Sequence, residues 1–200
     1  MQAQLKHDPM CELKIRRVGI IHGTGGSERK HWQTWLAAQC RDQGLEVHYP
    51  KLPRANHPQL SAWLEALKRA LPVIDRETAL VCHSLGCVTS LQLLKDEGIK
   101  ELGMLVLVAP PALSKVLASE YNFQAHFFDG LDDALIKAAI KARRVVLFES
   151  VNDHRWGDKK ELGYWKEALD PKVHIVRNGG HINLASGHHT LQPALDLLSD

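Results

Sequence analysis

The sequence predicts an α/β fold, a three-layer α/β/α sandwich built on a compact, mostly parallel six-stranded sheet. Three observations carry that expectation. Short apolar runs rich in Val, Ile and Leu recur along the chain, and segments of helical period separate them. That alternation favours parallel strands, since each right-handed crossover lays a helix on one face of the sheet. Finally, 200 residues that are 44% hydrophobic and 24% charged supply one sizeable core. A single domain over 1–200 is expected, with residues 1–13 as a loosely packed N-terminal extension.

The first apolar run is "RRVGIIHG" (Arg16 to Gly23), and a helix follows it in "HWQTWLAAQC" (His31 to Cys40), where Trp32, Trp35, Leu36 and Ala37 form one stripe. The second strand, "LEVHYP" (Leu45 to Pro50), leads to a helix over Leu60 to Leu71 with Leu60, Trp63, Leu64 and Leu67 on one face. "ETALVCH" (Glu77 to His83) is the third strand, and "CVTSLQLLKDEG" continues as a helix ending near Gly98. "GMLVLVAP" (Gly103 to Pro110), "RRVVLFES" (Arg143 to Ser150) and "KVHIVRN" (Lys172 to Asn178) complete the six. Between the fourth and fifth strands, Pro111 to Asp133 is irregular and holds Tyr121, Phe123, Phe127 and Phe128. Ligands of such sheets bind beyond the carboxyl ends of the strands, so this segment is a candidate pocket wall or small lid for an apolar group.

Composition excludes several classes of function. A formal charge of +2, from 25 basic and 23 acidic residues, gives no overall field that would draw the chain to nucleic acid or an anionic membrane. Charges at Lys6, Asp8, Glu12, Lys14, Arg16 and Arg17 interrupt any apolar leader. The longest apolar stretch, Gly103 to Leu113, is too short for a bilayer and contains Pro110 and Pro111. A soluble, cytoplasmic protein is expected. Cys11, Cys40, Cys82 and Cys87 form no C-x-x-C pair, which points to reduced packing thiols; the twelve histidines show no ligand spacing, so neither metal nor cofactor is expected.

The chemistry is concentrated in "VCHSLGC" (Val81 to Cys87). It sits where a strand meets a helix, the setting of a nucleophile elbow, which holds a serine in a strained conformation above the sheet. Gly86 meets the pattern G-x-S-x-G, whereas Cys82 replaces the first glycine with another small residue. Outside this setting, Ser84 would read as an ordinary helix cap. A serine hydroxyl needs a base to take its proton, and the base needs an acid to orient it. In this topology the partners follow in the order Ser, Asp or Glu, then His. Asp153 follows the fifth strand, and His181 follows Gly179 and Gly180 after the sixth. Rivals are Glu149 and Asp129 for the acid, and His83 and the pair His188 and His189 for the base. An oxyanion needs two fixed donors: the backbone N–H of Leu85, and that of Thr24 in the loop after the first strand, where Gly23 permits close approach and His22 borders the pocket. The same glycine-rich loop fails G-x-G-x-x-G at Glu28 and lacks G-K-[ST], which argues against a phosphate site.

The segments "SERKHWQTWL", "PKLPRANHPQLSAWLEAL", "VCHSLGC", "LVAPP" and "GGHINLASG" resemble the small serine hydrolases grouped with retinoblastoma-binding protein 9 and YdeN. The resemblance runs from about Val18 to the C-terminus. It implies an α/β-hydrolase fold without a large cap domain and a triad matching Ser84, Asp153 and His181. Around the acid this chain reads Asn152-Asp153-His154, where many members have Asp-Asp-Pro. No L-x-C-x-E type segment occurs, so no protein partner carries over. The expected activity is hydrolysis of a small-molecule acyl substrate, an ester or related compound, through an acyl-enzyme. A hydrolase-fold binding protein with an idle triad is the alternative, and transferase or haloperoxidase-like chemistry on the same residues is a third.

Overall fold

In the computed structural model, which describes residues 14–99, 101–112, 116, 121–131, 142–153 and 165–199, the six apolar runs pair into one sheet. Its strands are β1 (Arg17–Ile21), β2 (Glu46–His48), β3 (Thr78–His83), β4 (Leu102–Val108), β5 (Ala142–Glu149) and β6 (Lys172–Ile175). They lie in the order β2-β1-β3-β4-β5-β6. Every pairing is parallel, so the mostly parallel sheet expected from the sequence is parallel throughout. All carboxyl ends therefore share one edge, and the chain reverses its direction of strand addition between β1 and β3. A crevice at such a switch point is where ligands of open α/β sheets bind. β3 and β4 are buried along their whole length, which is why they read as unbroken apolar runs.

The edge strands are shorter than their apolar runs. β2 ends two residues before Pro50, which has no N–H for a ladder. β6 ends before Asn178, whose φ of 52° turns the chain away from the sheet.

Helices α1 (Trp32–Asp42), α2 (Leu60–Ala70), α3 (Leu85–Asp96) and α4 (Gln192–Ser199) cover the two faces. Residues of α1 and α4 join Val18, Ile20, Val81 and Val106 in one apolar cluster. Residues of α2 and α3 join Ile21, Leu80, Cys82 and Leu107 in the other. Successive strand residues thus feed opposite layers, as the two-residue period of a strand requires. α1 starts where His31, in extended backbone, accepts the N–H of Gln33 on its ring Nδ1 at 3.2 Å. α4 lies in a segment for which the sequence reading named no element. Leu191, Ala194, Leu195 and Leu198 are buried at helical spacing there, and Pro193 falls in the first turn, where a missing N–H costs nothing.

α3 is buried nearly all round and passes so close to β1 that Gly86 is obligatory. A Cβ at that position would stand 2.6 Å from the carbonyl oxygens of both Ile21 and His22. One turn on, and on the same face, Ser90 faces the Cys82 thiol. Small residues along this side of the helix leave room for cysteine where the elbow pattern has glycine. Cys40, Cys82 and Cys87 are buried free thiols, and Cys11 lies outside the described residues. Burial pushes the Cys82 thiol up to about 12 and the Cys40 thiol up to about 11. No helix among the described residues is long and apolar enough to cross a membrane.

Two glycines separate steric from conformational need. Gly86→Ala forces backbone against backbone and is expected to lose at least about 2 kcal/mol of unfolding free energy. Gly44→Ala has open space around the new methyl but a φ of 81°, and is expected to lose about 1 kcal/mol. Denaturant melts of the two variants check the order.

Candidate active site

Ser84 stands between β3 and α3 with φ 52° and ψ −129°. A non-glycine residue held there stores on the order of 1–3 kcal/mol of backbone strain. Its surroundings hold it in place. The Ser84 N–H donates to the Val108 carbonyl at 2.9 Å, and its own carbonyl accepts the N–H of Cys87 at 2.9 Å. With β3 and α3 both buried, the turn has no room to relax.

His181 and Asp153 arrive from the loops after β6 and β5. The Ser84 Oγ lies 3.0 Å from His181 Nε2, and His181 Nδ1 lies 2.8 Å from Asp153 Oδ2. An ionised carboxylate only accepts, so Nδ1 carries the ring proton and Nε2 is bare toward the serine hydroxyl. All three residues are buried, Asp153 to 2% exposure. The two loops are stitched to each other. Ser150 Oγ accepts the Gly179 N–H at 3.0 Å, Asn152 Oδ1 accepts the Gly180 N–H at 3.0 Å, and the Ser150 hydroxyl donates to Asn152 Oδ1 at 2.6 Å. Beyond the histidine, Trp32 Nε1 donates to the Ile182 carbonyl at 2.7 Å. Gly180 with φ +52° makes the turn that presents the ring.

On the opposite side, the loop after β1 presses against the elbow. A Cβ on Gly23 would stand 2.7 Å from the Ser84 Cβ and 3.2 Å from the Leu85 nitrogen. Leu85 opens α3, so its N–H has no intrahelical acceptor. His22 sets the neighbouring peptide: its Nδ1–H donates to the Gly23 carbonyl at 2.8 Å, while Nε2 accepts the Leu52 N–H at 3.0 Å. In a trans peptide the N–H points opposite to the C=O, so the Thr24 N–H is directed away from His22, and Thr24 lines the cavity over Ser84. Gln124 Nε2 donates to the Thr24 hydroxyl at 2.9 Å and anchors that loop to the segment after β4.

The cavity over Ser84 measures about 180 Å³ and is lined by Thr24, His31, His83, Tyr121, His181 and Leu184, among others. Of the residues expected to border it, Tyr121 does so. His22 instead lines a second cavity, both ring nitrogens being occupied by the bonds above. Gly23 packs against the elbow itself. Phe127 and Phe128 are core residues, Phe127 lying edge-on to Trp63 at 5.5 Å, and Phe123 is 44% exposed. The cause is the 3-10 helix Asn122–Phe128, whose three-residue period turns Gln124 and Phe127 inward together. Gln92 Nε2 donates to the carbonyls of Phe127 and Asp129, both at 2.9 Å, so residues 121–131 form a tethered wall. The remainder of the expected wall or lid, 113–115, 117–120 and 132–133, lies outside the described residues.

The rival residues fall elsewhere. Asp129 is exposed, Glu149 is buried as the last residue of β5, and His189 is exposed beside the Lys30 carbonyl. His83 faces the site rather than away from it. Its Nε2–H donates to the His181 carbonyl at 3.0 Å, and its ring lies 4.9 Å from the His181 ring and 5.3 Å from that of His31. The sequence pattern assigns no role to Ser150 and Asn152, which act on the site through the backbone N–H groups of Gly179 and Gly180, nor to Gln124 and His31, which meet it through the Thr24 hydroxyl and as cavity lining. Burial drives His83 well below its ordinary value and His31 down to about 4, with the charge of His181 adding to both. Two neutral rings therefore neighbour the position where an imidazolium would form. No group of three His, Cys, Asp or Glu residues placed to hold a metal occurs among the described residues.

The family model for serine hydrolases matches residues 18–200. The chain belongs to the serine hydrolase family. It is 27% identical to YdeN of Bacillus subtilis (strain 168) over 185 residues, 92% of this chain and 95% of YdeN. The crystal structure of the B. subtilis ydeN gene product superposes with a TM-score of 0.79 at 26% identity, covering 92% of this chain and 97% of that one. The esterase domain of a Rhodothermus marinus protein, at 16% identity, a TM-score of 0.68 and coverage of 96% and 88%, shares the fold. The protein is thus a compact α/β hydrolase without a large cap among its described residues.

His31 gives a pH dependence of known sign. At pH 7 it is neutral in both folded and unfolded chains; as pH falls below 6.5 only the unfolded chain takes up the proton, until the folded value of about 4 is reached. Stability is therefore lost as pH falls through that window, and His83 adds in the same direction. His31→Asn keeps a capping acceptor for α1 and removes the titration. Between pH 6.5 and 4.5, the wild type is expected to lose about 2 kcal/mol more than this variant; parallel curves in denaturant titrations contradict the assignment.

Proposed function

We propose that the protein is a carboxylesterase-like serine hydrolase that cleaves a small acyl substrate through an acyl-enzyme on Ser84. The observation that carries this reading is the continuous chain from the Ser84 Oγ to His181 Nε2 at 3.0 Å and from His181 Nδ1 to Asp153 at 2.8 Å. His181 takes the serine proton as Oγ attacks the carbonyl carbon, and Asp153 stabilises the imidazolium that results. The N–H groups of Thr24 and Leu85 hold the oxyanion, each such donor being worth about a hundredfold or more in kcat. His181 then protonates the leaving group, and water repeats the sequence on the acyl-enzyme. The residues named above carry the mechanism.

Ser84→Ala is expected to lose fluorophosphonate labelling and to lower p-nitrophenyl ester turnover by about 10⁴ or more, with an unchanged melting profile. Asp153→Asn leaves the geometry but sets the wrong imidazole tautomer, and a loss of about 10⁴ in kcat is expected. Equal labelling of the wild type and Ser84→Ala sinks the assignment. Labelling of the wild type without turnover of any ester or thioester favours an idle triad in a binding protein.

A further inference from the structure

His31 and His83 line the cavity over Ser84, and each brings to it one ring nitrogen that the triad does not use. The Gln33 N–H donates to His31 Nδ1 at 3.2 Å, so that nitrogen is bare and the proton of the neutral ring sits on Nε2. His83 is the reverse. Its Nε2–H donates to the His181 carbonyl at 3.0 Å, so Nδ1 is an acceptor. Neither His31 Nε2 nor His83 Nδ1 has a hydrogen-bond partner among the described residues, and neither belongs to the enclosed polar atoms that lack one. Both therefore reach open space, and the space these rings border is the cavity. The two rings lie 5.3 Å apart, and His83 lies 4.9 Å from the His181 ring. A donor and an acceptor thus stand side by side next to the catalytic imidazole.

Asn183 extends the set. Its Oδ1 accepts the Ser186 N–H at 3.0 Å and the Ser186 hydroxyl at 3.2 Å, which leaves its NH2 group to donate, and Asn183 lines the same cavity. The leaving oxygen of an ester must come within reach of His181 Nε2 to take its proton. The alcohol part of the substrate therefore lies on the His181 side, beside these three residues, while the carbonyl oxygen faces Thr24 and Leu85. What satisfies a donor and an acceptor together is restricted. A hydroxyl accepts one hydrogen bond and donates another. An ether oxygen only accepts, an ammonium only donates, and an alkyl group strips water from both nitrogens without replacing it.

We infer that His31, His83 and Asn183 form the binding site of the leaving alcohol, and that this alcohol is a polyol whose second hydroxyl accepts from His31 Nε2 and donates to His83 Nδ1. This rests on the reading of Ser84 as the nucleophile. As the tetrahedral intermediate collapses, the bond between the carbonyl carbon and the ester oxygen breaks, and that oxygen takes the proton from His181 Nε2. The second hydroxyl is chemically unchanged and holds the departing oxygen in line with the imidazole. Both rings are neutral at pH 7, as argued above, so the pair remains one donor and one acceptor.

The test follows acetate release by the full chain from two esters, 2,3-dihydroxypropyl acetate and 2-methoxyethyl acetate. Each carries an oxygen on the carbon next to the ester link, so the leaving groups are alike in acidity, but only the first donates a hydrogen bond. Wild-type kcat/KM is expected to be at least about tenfold higher for the dihydroxypropyl ester. His31→Ser and His31→Thr each keep a capping oxygen for α1 and are too short to reach the alcohol, and each is expected to bring that ratio to within about threefold of one. A substitution that only loosens the site slows both esters alike and keeps the ratio. A wild-type ratio near one, or a ratio kept in whichever variant retains the wild-type melting profile, overturns the inference. Fluorophosphonate labelling separates the two layers. Wild type that labels but shows no preference, or no turnover of the dihydroxypropyl ester, refutes only the alcohol site, whereas wild type that neither labels nor turns over refutes the nucleophile and the alcohol site with it.

Discussion

The close approach of β1 to the turn after β3 is the constraint on which the remaining architecture depends. Two main chains meet there with no side chain between them, because Gly86 lets α3 pass the carbonyls of Ile21 and His22 and Gly23 lets the next loop rest on Ser84. The sheet order places β1 beside β3, and the direction in which strands are added reverses between them. The contact therefore forms at the one point along the carboxyl edge where loops diverge and a crevice opens. Backbone strain at Ser84, the direction of the Thr24 peptide and the N-terminal amide of α3 all follow from that meeting.

Around it, positioning is done by backbone hydrogen bonds rather than by charge. Ser150 and Asn152 take the amides that precede His181, while His83 and Trp32 donate to the carbonyls of His181 and Ile182. Four side chains from three elements thus fix both ends of one short loop. An imidazole held in this way keeps its place when its charge changes, and the neutral state of His31 and His83 spares it a nearby like charge. The same economy appears at the wall after β4, where Gln92 and Gln124 bind backbone and hydroxyl groups from inside.

Much of this was legible in the sequence, and the reason differs from part to part. Unbroken apolar runs such as those of β3 and β4 announce strands buried on both faces, so strand number, order of elements and parallel pairing follow from periodicity. Ser84, Asp153 and His181 were named by their places after β3, β5 and β6, and those places depend on topology alone. Side-chain direction in irregular segments does not follow from spacing. Phe127 and Phe128 read as pocket residues yet turn into the core, because a 3-10 helix brings every third residue to one face, so that Phe127 follows the buried Gln124 inward and its neighbour Phe128 packs beside it. His22 read as a pocket residue of the Ser84 site, but its two ring bonds commit it to the peptide of Gly23 and the loop at Leu52. Helix α4 carries an amphipathic signal in Ala194, Leu195 and Leu198, preceded by buried Leu191, over only eight residues, too short a run for periodicity to stand out.

The central claim is that the backbone contact between β1 and the elbow creates an oxyanion site facing Ser84. A crystal structure of the protein inactivated by a small alkyl fluorophosphonate tests it most directly. The account requires phosphorus bonded to the Ser84 Oγ, with the phosphoryl oxygen about 3 Å from the backbone nitrogens of both Thr24 and Leu85. Phosphorus on any other residue, or a phosphoryl oxygen turned to solvent away from both amides, contradicts it.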